Sequence, residues 1–172
     1  MFKKTTSFAP RSNLFYALIL AATAFALYIN TIPNKYAIDD NIVALNPLVQ
    51  RGILAIPEIF STRYQTSGQY SYGYRPVVKS MFAVEQSLFG GNPHISHFIN
   101  VLIYAVTIVV LFYVMTLWFT GYSRFFVFCI ALLFTAHPIH TEAVASLKNR
   151  EELVCFLGCI LALHCFMLYW RK

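Results

Sequence analysis

Asp39 and Asp40 are adjacent carboxylates in an apolar and aromatic setting, with Tyr36, Ala37 and Ile38 before them and Ile42 and Val43 after. Such a pair can act as a general base or hold a cation, and an Asp-Asp-Asn run is equally ordinary chemistry for a turn or helix cap. A second group is Tyr70-Ser71-Tyr72-Gly73-Tyr74-Arg75-Pro76, with Lys79 one turn further on. Arg75 offers five donors suited to a phosphate, and Pro76 can open the helix that carries Lys79. The same residues also suit an interfacial aromatic belt with a headgroup-binding arginine. The third group is His137-Pro138-Ile139-His140-Thr141-Glu142, continuing to Lys148, Asn149 and Arg150. Pro138 at a helix start leaves His137 near the N-cap and sets His140, Val144 and Lys148 on one face. Two histidines with a nearby glutamate suggest a metal, but a helical zinc pair is normally spaced by four residues and these differ by three, so no cofactor is expected and a divalent metal stays an alternative that the ligand spacing does not support. His94 and His97 read as interfacial anchors.

The elements that must position these groups belong to a membrane protein. Of the 172 residues 58% are hydrophobic and only 12% charged, with 16 Phe, 11 Tyr and 2 Trp and a net charge of +6. A water-soluble globule and a disordered chain are both excluded by that balance. Cys129, Cys155, Cys159 and Cys165 all lie inside apolar runs and read as small packed hydrophobes. The chain divides into a basic cytoplasmic N-terminus (1–13, with Lys3, Lys4 and Arg11), a first span (14–32) and a long extracytoplasmic loop (33–97). A second span (98–120), a short third span (125–140), an outer polar connection (141–152) and a fourth span (153–170), followed by Arg171 and Lys172, complete it. Within the long loop, Ile42–Val49, Ile53–Phe60 and Val77–Phe89 are too short to cross a bilayer and suit surface-lying helices. The expected fold is therefore an all-α polytopic membrane protein of about four transmembrane helices, with short interfacial helices in its first loop. Both termini are expected on the cytoplasmic side of a bacterial cytoplasmic membrane, or of an ER membrane in a eukaryote. Lys148 and Arg150 then sit outside, against the usual charge bias, as cations with an anion to hold.

The succession Tyr36-Ala37-Ile38-Asp39-Asp40, Asn46-Pro47-Leu48-Val49, Tyr74-Arg75-Pro76, Leu88-Phe89-Gly90 with Asn92-Pro93, His137 through Ala145 and Asn149-Arg150-Glu151-Glu152 resembles a known family. It is similar to the N-terminal part of the tetratricopeptide-repeat O-mannosyltransferases and their bacterial relatives, within the GT-C superfamily. The resemblance implies an inverting glycosyltransferase that moves a sugar, mannose in that family, from a polyprenyl-phosphate donor to a hydroxyl acceptor at the outer membrane face. It implies Asp39 or Asp40 as catalytic base, with Asp39 favoured, and Arg75, Lys148 and Arg150 around the donor phosphate. His137, His140 and Glu142 would support the same cavity. Full members of the family have more spans and a repeat region, and no 34-residue repeat is present here, so the expectation is a split or truncated module completed by a second membrane chain.

The alternative is a non-catalytic membrane subunit or scaffold that keeps the fold, marked by Asp39 lying far from Arg75, Lys148 and Arg150 or pointing into solvent. A transporter is disfavoured because the apolar runs carry almost no ionisable groups. Membrane lipid and a polyprenyl-phosphate sugar are the expected partners, and nucleic acid is not, because the cations gather at membrane edges rather than in one patch.

Overall fold

The computed structural model describes residues 10–37, 39–63, 65–67 and 70–170. Lys3, Lys4, Ile38, Arg171 and Lys172, which entered the sequence reading, lie outside the described residues. Helix α1 (Pro10–Tyr28) is followed after a polar segment by the short helices α2 (Asn41–Ala44), α3 (Pro47–Gln50) and α4 (Ile56–Ser61). A hairpin of β1 (Gln65–Ser67) and β2 (Tyr70–Tyr72) leads to α5 (Pro76–Phe89). Then come α6 (Pro93–Trp118), α7 (Arg124–Ala136), α8 (Thr141–Ala145) and α9 (Arg150–Trp170).

Local chemistry sets most of these boundaries. Asn46 and Asn92 each stand before a proline and accept a hydrogen bond from the backbone N–H two residues on, at 3.0 Å. Each therefore caps a helix whose first residue has no N–H to satisfy. Ser123 caps α7 in the same way, accepting from Phe126 N–H at 3.2 Å. Helix α5 stops where Gly90 adopts φ +68°, a left-handed conformation that glycine takes without steric cost.

Helices α1, α6 and α9 are long and apolar enough to cross a membrane. At 26 residues α6 is roughly 39 Å long, more than the hydrocarbon core needs. It begins at Pro93, five residues before the apolar run, because the Asn-Pro cap rather than hydrophobicity decides where the helix starts. Helix α7 has only 13 residues, too few to span, and breaks at His137-Pro138. The chain then resumes through Pro138–Ala145 at a 49° bend, so the short apolar run and the histidine segment together make either the third crossing in chain order, bringing the total to four, or a re-entrant turn.

Small residues let α1 lie close to α6. Ala17, Leu20 and Ala24 are buried along one stripe of α1, facing Val101, Tyr104, Ala105, Ile108 and Phe112 of α6. Tyr16 stacks on Phe128 of α7 at 4.8 Å, and Arg124 donates to Ser12 at 3.3 Å, so α1 and α7 start at the same end of the bundle. Helix α9 is the least covered span, with 11% of its apolar stretch buried against 50% for α6. The loop between the first two spans does fold into short helices, and its two-stranded hairpin is an addition that the sequence pattern did not indicate.

Candidate functional site

The two aspartates occupy different environments. Asp40 is 1% exposed. Its carboxylate accepts from Ala37 N–H at 2.9 Å, from Lys148 N–H at 3.0 Å and from Ser146 Oγ at 3.5 Å. It ties the start of the long loop to the segment before α9, two stretches more than a hundred residues apart. Asp39 points outward, and its carboxylate meets Lys148 Nζ at 3.2 Å. One residue of the pair thus fixes Lys148 by its backbone while the other engages its ammonium.

Arg75, half exposed ahead of α5, pairs with Glu151 in the first turn of α9, so a second cation is brought to the same short segment. Lys79 is not beside it in the open. It lies on the inner face of α5, where burial holds its ammonium below the ordinary lysine range and the Glu58 carboxylate opposes that shift. Tyr36 donates to the Gly91 carbonyl at 2.8 Å and is pushed above the ordinary tyrosine range by burial first. It pins the Asp39-Asp40 turn to the α5–α6 junction.

Arg150, expected from the family resemblance to contact a donor phosphate, is placed elsewhere. Its side chain is fully buried, both terminal nitrogens bind the Glu85 carboxylate, and Nε donates to Asn100 Oδ1 at 2.6 Å. Nη2 also reaches the Ser96 carbonyl at 3.0 Å, and the guanidinium lies 3.8 Å over the ring of Phe82. Asn100 in turn donates to the carbonyls of Val144 and Ser146, both at 3.2 Å. The network clamps α5, α6, α8 and the start of α9 together, four of the five guanidinium N–H donors bonding to protein groups. His97, read as an interfacial anchor, is likewise 1% exposed. His94 does sit at the surface, its Nδ1 3.0 Å from the Ile32 carbonyl just beyond α1.

The histidine segment forms a separate cavity of about 620 Å³ between α6, α7, α8 and α9. His137 does not line it and serves as a cap, its Nδ1 accepting from Ile139 N–H at 3.2 Å. His140 and Glu142 do line it, together with Asn149 and Glu152. Among the described residues no group of three or more His, Cys, Asp or Glu is placed to hold a metal ion.

Three comparisons bear on what this arrangement belongs to. Protein O-mannosyl-transferase TMTC1 from Homo sapiens is 32% identical over 162 residues, covering 91% of this chain and 18% of the relative. Protein O-mannosyl-transferase TMTC2 from Homo sapiens is 29% identical over 161 residues (87% and 18%), and Protein O-mannosyl-transferase Tmtc1 from Drosophila melanogaster 30% over 148 residues (80% and 16%). This chain is related to the O-mannosyl-transferases. The relationship runs through most of the chain, as the order of motifs implied, while the chain spans about a fifth of the length of these O-mannosyl-transferases or less. No family model matches, and no solved structure matches.

Glu85, Asn100 and Ser96 are the residues that sequence reasoning missed. The signal for Glu85 was present: it falls one and two helical turns after Phe82 and Val78, on the face of α5 that turns inward. A carboxylate at that position demands a buried cation.

Proposed function

We propose that this chain is the acid-bearing module of a membrane glycosyltransferase, with Asp39 as its general base. The reading is supported most directly by the contact between Asp39 and Lys148, 109 residues apart in sequence and 3.2 Å apart in space, in a chain whose relatives are named O-mannosyl-transferases. An exposed carboxylate beside an ammonium is a site where a hydroxyl and a phosphate ester can meet. The acceptor oxygen forms its bond to the sugar's anomeric carbon as the bond from that carbon to the phosphate oxygen breaks. The hydroxyl proton passes to Asp39 and the configuration inverts. The departing lipid phosphate carries negative charge, which Lys148 and Arg75 stabilise. Arg150 and Glu85 are positioning residues that hold the backbone of 146–150 in place. The site faces the outer side of the membrane, with both chain ends on the cytoplasmic side, and a second membrane chain packs on the exposed surface of α9.

Transfer of labelled mannose from a polyprenyl-phosphate donor to a serine- or threonine-bearing acceptor, in membranes containing the protein, tests this. Asp39→Asn should lower the rate about 10²–10⁴-fold, the usual contribution of a positioned base. Transfer at the parental rate in Asp39→Asn would remove the assignment.

A further inference from the structure

We propose that the cavity between α6, α7, α8 and α9 binds the polyhydroxylated head of an amphiphile and is not a seat for phosphate. The inference goes beyond the sugar-transfer reading: a transferred sugar is bonded directly to its phosphate and reacts beside Asp39 and Lys148, so the head held in this separate cavity belongs to a second, phosphate-free molecule. About 620 Å³ is within the range of small-molecule sites.

The charge of the walls selects the ligand. Glu142 and Glu152 line the cavity, and among the described residues no Lys or Arg does, so an anionic head is repelled where a neutral head with many O–H donors is held. Asn149 donates to Glu142 at 3.3 Å, fixing a carboxylate and an amide side by side in the way that adjacent sugar hydroxyls are commonly bridged. His140 Nε2 is buried and has no hydrogen-bond partner among the described residues, an unmet polar atom on the same wall. The opposite chemistry is also present: Phe134 stacks on Phe156 at 5.6 Å and lies 4.4 Å from the His140 ring, an apolar surface for the C–H face of a pyranose and the start of a hydrocarbon chain.

The same backbone segment separates this cavity from the cations. Lys148 is directed to Asp39 and its neighbour Asn149 to Glu142. Hydroxyl recognition and phosphate neutralisation are therefore divided between two sides of one chain stretch, although both sets of residues come from a single motif.

The full chain in lipid nanodiscs, with empty nanodiscs as blank, is titrated with radiolabelled dodecyl mannoside. Saturable binding is expected, weakened about tenfold or more in Glu142→Gln and in Glu152→Gln, the loss of a charge-assisted hydrogen bond. Dodecyl phosphate should fail to displace the label. A phosphate-free mannolipid should displace the label, and polyprenyl-phosphate mannose, whose phosphate adjoins the sugar, should do so at least about tenfold less well, equal displacement by the two counting against the proposal. A diazirine-tailed mannoside gives a readout that does not depend on variants folding, and should label peptides from α8 and α9. Displacement by dodecyl phosphate as readily as by unlabelled mannoside, affinity within twofold of parent in both glutamine variants, or labelling confined to other helices would overturn the proposal. Binding is read without turnover, so intact binding in a protein that transfers no sugar contradicts the transfer reading alone.

Discussion

Removing the Glu85 carboxylate should destabilise the protein more than any single change at its outer surface. Arg150 is wholly buried, and Glu85 supplies the only carboxylate that its guanidinium binds among the described residues. Breaking one partner of a buried pair typically costs 3–5 kcal/mol, because a charge is left uncompensated in a low-dielectric interior. Here Asn100, the Ser96 carbonyl and the ring of Phe82 stay in contact with the guanidinium, which places Glu85→Ala near the lower end, about 3 kcal/mol. At roughly 2–4 °C per kcal/mol for a chain of this size, the melting temperature should fall by about 6–12 °C. Tryptophan fluorescence during thermal unfolding in nanodiscs reads this through Trp118 and Trp170. The double variant Glu85→Leu/Arg150→Met removes both charges and should recover most of the loss, since replacing a whole buried pair by apolar groups is often neutral. A melting temperature within about 2 °C of parent in Glu85→Ala, or a double variant less stable than the single one, would refute the reasoning.

The two aspartates should separate by phenotype. Asp40→Asn puts an N–H₂ group against backbone donors and should cost about 2–4 kcal/mol in thermal unfolding, whereas Asp39→Asn, at an exposed pair, should cost less than about 1 kcal/mol. Asn100→Leu strips the Val144 and Ser146 carbonyls of their donor and should destabilise by about 2–3 kcal/mol in the same assay, without altering insertion into the membrane. Arg51→Ala should be silent to within about 0.5 kcal/mol, because both members of the Arg51–Glu58 pair are about half exposed.

Much of this was legible from residue types and spacing. The apolar runs locate α1, α6 and α9 because a bilayer crossing has a length requirement that composition reveals directly. The pairing of the Asp39-Asp40 turn with the 146–150 segment followed from putting both on one face. Burial was not legible. Arg75, Lys148 and Arg150 are alike as sequence features, yet Arg150 follows the inward stripe that continues to Leu153 and is buried against Glu85, while the side chain of Lys148 reaches the exposed Asp39. The His-Pro-x-His-x-Glu segment read as one functional unit, and the bend at Pro138 divides it: His137 closes a turn, and His140 and Glu142 face a cavity that the cations do not enter. The hairpin at 65–72 carries no strong alternation of apolar and polar residues, which is why it escaped notice.

The meeting of Asp39 and Lys148, and the proposed placement of both at the outer face, can be measured directly. In a background with the four cysteines replaced by alanine, Asp39→Cys and Lys148→Cys are treated, on sealed inside-in vesicles or intact cells, with a short membrane-impermeant bifunctional thiol reagent. Rapid intramolecular cross-linking from the outside, absent in either single variant, is the expected result. Labelling of one position from the outer side and of the other only from the cytoplasmic side would contradict the shared site and the sugar-transfer assignment built on it.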